Sequence, residues 1–137
     1  MKRRIYHLRL LAVLVGTLIM IGCPVPPRDQ SVAKAFETNA SKVQVEDEGV
    51  VTRLLADDTS GIPHQRFIVR IAAGQTVLIE HNTDIAPAIK DLKVGDSISF
   101  SGEYIWNQQG GLVHWTHHDP EGRHPSGWLK HNGMVYQ

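Results

Sequence analysis

This sequence predicts a small, mainly β domain, and three observations carry that prediction. Short runs rich in Val, Ile, Phe and Thr recur from residue 43 onward, separated by turns bearing Asp, Ser, Gly and Pro. One stretch, NTDIAPAIKDL at residues 82–92, breaks the strand period with helical spacing. Near the end, Asn132-Gly133 stands between two short apolar runs, the strongest short-range hairpin signal.

The elements follow in order. Val32, Ala35 and Phe36 share one helical face, with Asp29 or Ser31 as N-cap and Asn39 as stop, which predicts a short helix leading into the domain. Glu46, Asp47 and Glu48 read as a solvated acidic lead-in. The first strand is GVVTRLL, residues 49–55, and ADDTSGIPHQ after it is a long turn. Residues 67–71 alternate Phe67, Val69 and Ile71 against Ile68 and Arg70, and residues 76–81 run back after the Ala73-Gly74-Gln75 turn. Within residues 82–92, Asp84 is a candidate N-cap and Pro87 falls in the first turn, where its missing N–H costs nothing. Ile85, Ala88, Ile89 and Leu92 then form one stripe. Residues 97–106 and 112–116 are the fourth and fifth strands, joined through a loop at residues 108–111. Val113 and Trp115 are expected on the inward face of the fifth.

The order β-β-β-α-β-β plus a terminal hairpin is that of an OB-like five-stranded Greek-key barrel, with one helix between strands 3 and 4. Such a barrel ends strands 1, 3 and 5 at one pole, where strand 2 begins. Asp57 and Asp58, His64, His81, and then His117, His118 and Asp119 would all point to that rim.

The start of the chain predicts its destination. Lys2, Arg3, Arg4 and Arg9 precede a near-continuous apolar run, Leu10 to Ile21, shorter than the roughly 20 residues a spanning helix needs. That is the pattern of an export signal. Ile21-Gly22-Cys23 resembles the lipobox of bacterial lipoproteins, in which the cysteine is lipidated, with Met20 where leucine is more usual. The expected organisation is therefore a lipoprotein-type signal over 1–22, an anchor, proline spacer and short helix over 23–42, and the barrel over 43–137. The expected address is periplasmic or membrane-anchored. Cys23 is the single cysteine, so an internal disulfide is excluded. Loss of residues 1–22 removes four basic residues and no acid, leaving ten against fourteen and a net charge of −4. An acidic domain is disfavoured as a nucleic-acid binder, since phosphate contacts require Lys and Arg.

GGLVHWTHHDPEGRH, residues 110–124, holds four of the eight histidines. Zinc takes about four ligands from His, Cys and carboxylate, and His64, His81, His117, His118 and Asp119 form the candidate set, although no recognised metal spacing is present. Catalysis is the sharper alternative, with His117 or His118 as base or ligand, Asp58 as partner and Arg66 steadying an anion, as in a metal-dependent phosphodiesterase or nuclease. The bland alternative has these imidazoles hydrogen-bonding loop carbonyls, with His114 on the outer strand face, His124 on the loop surface and His131 exposed at the hairpin. Tyr104, Trp106 and Trp115 could instead form a stacking platform for a small molecule, sugar or peptide. The leading expectation is a non-catalytic ligand- or metal-binding module of the cell envelope, and the second is the hydrolase.

LLADDTSGIPHQRFIV, TVLIEHNTDIAPAI, GDSISFSGEY and GGLVHWTHHDPEGRH followed by GWL resemble an uncharacterised family of small exported bacterial domains. The resemblance runs from about Gly49 to Gln137 and implies a domain boundary but no activity.

Overall fold

A computed structural model describes residues 30–137. The signal, Cys23 and the proline spacer lie outside the described residues. Helix α1 (Val32–Glu37) opens the described chain, with Ser31 as the N-cap accepting from Lys34 N–H at 3.2 Å. Seven strands follow: β1 (Val43–Leu54), β2 (His64–Ile71), β3 (Thr76–Asn82), β4 (Ser97–Ile105), β5 (Leu112–His114), β6 (Trp128–His131) and β7 (Met134–Tyr136). No helix among the described residues is long and apolar enough to cross a membrane.

Closure depends on the length of β1. Its first part, Val43–Val50, pairs antiparallel with β4, and its second, Gly49–Leu54, with β2. Gly49 belongs to both ladders. A Cβ there would collide with the carbonyl of Arg70 and sit 2.7 Å from Val69 Cγ1, so the strand turns its corner where only glycine fits. The circuit runs β1–β2–β3–β5–β4 and back to β1, with β3 and β5 parallel. This is the expected OB-like barrel, closed so that its five strands leave no free edge within the circuit.

Alternate residues fill it: Phe67, Val69 and Ile71 from β2, Val77 and Ile79 from β3, Ile98, Phe100 and Tyr104 from β4 and Val113 from β5 are all buried. Helix α1 lays Val32 and Ala35 on the same core. The three acids are no lead-in. They lie inside β1 because β4 supplies their ladder partners, and Asp47 Oδ2 accepts Val32 N–H at 3.1 Å, helping to cap α1.

The helix expected between strands 3 and 4 is absent, and residues 83–96 form turns and irregular backbone instead. The physical reason is competition for its backbone groups. Gln65 of β2 accepts Ile89 N–H through Oε1 at 2.9 Å and donates through Nε2 to Ile89 O at 2.9 Å. His81 engages Pro87 O at 3.3 Å. Ile89 and Leu92 still bury their side chains against the barrel, so the apolar stripe serves a loop rather than a helix. Replacing Gln65 by Leu should cost about 2 kcal/mol in urea unfolding, because both polar groups of Ile89 lose their partner. A loss below about 0.5 kcal/mol would show that the clamp does not hold this loop.

The outer edge of β4 is shared. Ser99, Phe100 and Ser101 pair with β6, while Glu103, Tyr104 and Ile105 pair with β5. β5 and β6 thus follow one strand track along β4, interrupted opposite Gly102 by residues 115–127. The β6–β7 hairpin turns at Asn132 (φ 48°) and Gly133 (φ 79°), the two positive-φ positions its dipeptide implies.

Candidate functional site

Because β3 and β5 run parallel, they end at the same pole, where β2 begins. His81, the penultimate residue of β3, is completely buried there. Pro87 O can only accept, so His81 Nε2–H donates to it, and Nδ1 accepts the Thr116 hydroxyl at 2.8 Å. Burial pushes the His81 imidazole down to about 4, and the neighbouring His117 and His64 act in the same direction. His81 and His117 stand edge to face at 6.4 Å between ring centroids. His117 is itself buried and donates Nδ1–H to His118 O at 2.8 Å. That bond leaves Nε2 as its lone-pair nitrogen.

Residues 115–127 leave the strand track as a braced loop. Trp115 takes a positive φ of 54°, which ends β5 and carries its side chain away from the inward face expected for it. Asp119 organises the turn: Oδ1 accepts Glu121 N–H at 2.9 Å, and Oδ2 accepts the N–H groups of Arg123 at 2.6 Å and His124 at 2.9 Å. The Glu121 N–H, then those of His124 and Arg123 together with the Arg123 charge, hold this carboxyl below its usual range. Gly127 N–H closes the loop on His117 O at 2.9 Å. The His124 ring stacks on Trp115 at 4.0 Å with 19° between planes, and His117 lies tilted 5.4 Å from the same indole. Beneath them Glu103 of β4 takes His114 Nε2–H at 3.0 Å, with His124 Nδ1 3.8 Å from its other oxygen.

The sequence-predicted residues divide accordingly. His64, His81 and His117 do gather at one rim, with His118 exposed beside them, its Nδ1 3.2 Å from Ser126 Oγ. They do not close on a common point: among the described residues no three His, Cys, Asp or Glu side chains are grouped to hold a metal ion. His81 has both ring nitrogens engaged, and Asp119 spends its carboxylate on the loop. Asp58 bonds Ser60 through its hydroxyl at 2.6 Å and its N–H at 2.9 Å, the hydroxyl being the main cause of its lowered pKa. Arg66 sits on the outward face of β2 with Glu80 Oε1 3.2 Å from its Nε. His114 faces outward as expected, whereas His131 is buried and donates Nε2–H to Asp96 Oδ2 at 2.8 Å, tying the hairpin to the loop before β4.

The aromatic trio is not assembled either. Tyr104 is core, its hydroxyl donating to Gly110 O at 3.1 Å. Trp106 stacks on Phe36 of α1 at 6.2 Å, with its Nε1–H buried and without an acceptor among the described residues. Trp115 alone of the three remains at the rim. Two further contributors carry little local signal. Thr116 reads as strand in the sequence, and Glu103 offers one signal: strand alternation across the β4–β5 hairpin puts it beside His114. A surface depression of about 640 Å³ lies at the β1 bend between Gly49, Arg70, Ser97 and Lys130, and no described histidine lines it.

The family described as protein of unknown function DUF3465 matches residues 14–137, and the chain belongs to it. No curated protein matches the sequence.

Proposed function

We propose that this DUF3465 member is an exported, lipid-anchored module of the cell envelope that binds a polar ligand, a sugar or a peptide, through the 115–127 loop. The observation that supports this most directly is the loop itself. A barrel strand could have run straight past Gly102. Instead the chain makes a long excursion, braces it through Asp119 and Gly127, and holds a half-exposed Trp115 among His117, His118 and His124. Pre-ordering of that kind lowers the entropic cost of binding. An indole beside imidazoles offers apolar contact together with hydrogen bonds. The basic, apolar and Ile-Gly-Cys start of the chain supports export and anchoring.

A zinc-binding reading is favoured by one observation: His117 is oriented through Nδ1–H by a backbone carbonyl, the arrangement that presents Nε2 to a metal. The hydrolase reading would add His118 as base, whereas Asp58, its expected partner, bonds Ser60 instead.

The test uses the full chain with Cys23→Ser, and the mature domain with Trp115→Ala and His118→Ala. Cys23→Ser should move the protein from the membrane to the soluble fraction. The wild-type domain should co-sediment with insoluble cell-wall glycan, and the double variant should retain its fold and lose at least tenfold in binding. Stoichiometric zinc uptake lost on His117→Ala would select the metal reading instead. Neither retention nor zinc uptake would sink both.

A further inference from the structure

The outward face of the barrel carries a second feature, remote in character from the histidine loop. Ladder partners place Ile68, Leu78, Leu112 and Ile105 in one row across β2, β3, β5 and β4. All four are only partly covered. Over the Ile68–Leu78 part of that row lies a cleft of about 270 Å³, walled by Arg53 and Arg66 on one side and by Asn107 and Gln109 of the β4–β5 loop on another. No acidic residue lines it, although the mature chain is net acidic. Of the four arginines in residues 30–137, two are here.

The chemistry of the walls is specific. Arg53 is exposed and carries no ion pair among the described residues. Arg66 approaches Glu80 Oε1 at 3.2 Å through Nε, which makes no hydrogen bond among the described residues. Guanidinium groups match carboxylate oxygens in a fork geometry, and amides at the rim add neutral donors. Within a mainly polar lining, Ile68 and Leu78 supply a small apolar patch, and the loop is braced, since Asn107 Oδ1 accepts the N–H groups of Gln109 at 2.9 Å and Gly111 at 3.1 Å.

We propose that this cleft is a binding site for a small organic carboxylate with an apolar body, its tail on Ile68 and Leu78 and its carboxylate between Arg53 and Arg66. It is independent of the loop site, and either can fail without the other.

Hexanoate, hexanol and inorganic phosphate separate the two halves of the recognition. Titrated into the isotope-labelled mature domain, hexanoate should give saturable amide shifts confined to residues around Arg53, Ile68, Leu78 and Asn107. Hexanol lacks the charge and phosphate lacks the tail, so both should bind at least tenfold more weakly. Arg53→Gln, at an exposed position that should not disturb folding, should weaken hexanoate at least fivefold, and Arg66→Gln should do the same. The proposal is overturned if hexanoate gives no saturable shifts, if hexanol or phosphate binds as well, or if Arg53→Gln binds as the wild type does.

Discussion

Gly127→Ala is expected to destabilise the domain by about 3 kcal/mol, the upper end of what overpacking costs. The position is where the loop rejoins the barrel. A Cβ there would collide with Trp115 O, lie 2.5 Å from Ser101 O and 2.9 Å from Thr116 Cα. All three are backbone atoms, so no rotamer change can relieve the contact. Relief requires Gly127 to move away from Trp115 and Ser101, which strains the bond from Gly127 N–H to His117 O that closes the loop. A comparison isolates the cause. Gly133 has φ 79° and a Cβ there would meet nothing within 4 Å, so Gly133→Ala should cost about 1 kcal/mol of backbone strain alone. Urea unfolding of both variants measures the difference. If Gly127→Ala lost no more than Gly133→Ala, the tight closure of the loop would be refuted.

The second large effect is with pH. His81 is buried neutral, held down to about 4 against an ordinary 6.5, chiefly by desolvation. The unfolded chain therefore binds a proton below pH 6.5 that the folded chain refuses until about pH 4. Stability is complete above pH 6.5 and falls as the pH drops through that window. The loss reaches about 2 kcal/mol by pH 5 and about 3 kcal/mol near pH 4. Below that range Asp119 adds its own decline in the same direction, since protonating it weakens the bonds that hold the loop. Replacing His81 by Gln should lower stability at pH 7.5 and flatten the pH 6.5–4 slope. Denaturant midpoints at pH 7.5, 6, 5 and 4.5 read both quantities. A variant as steep as the wild type would assign the acid sensitivity to other histidines.

These two residues illustrate how unevenly the site could be read from the chain. Strand periodicity at residues 67–71 and 76–81, and Asn132-Gly133, identify elements correctly because alternation and turn chemistry are local properties. The order of those elements was enough to imply the barrel and the rim at which His81 and His117 meet. His117 and His118 looked equivalent as neighbours in a run, yet one is buried and the other exposed. Asp119-Pro120 signalled a turn, but not that both carboxylate oxygens would be consumed by it.

What the sequence by itself determined is the mainly β class, the strand order of the barrel, the short capped helix and the hairpin turn, together with the acidic balance of residues 30–137. Each depends on residues close together in the chain. Only the tertiary structure decided that Gln65 would unmake a helix at Ile89, that Asp47 would cap α1 and that Glu103 would sit under His114 and His124. It also decided that Arg53 and Arg66 would line one cleft beside Ile68. These are contacts between residues far apart in sequence or on different strands, and their geometry is set by ladder register and barrel closure. A local pattern specifies which face of a strand a side chain takes; it does not specify the partner that closure brings to it.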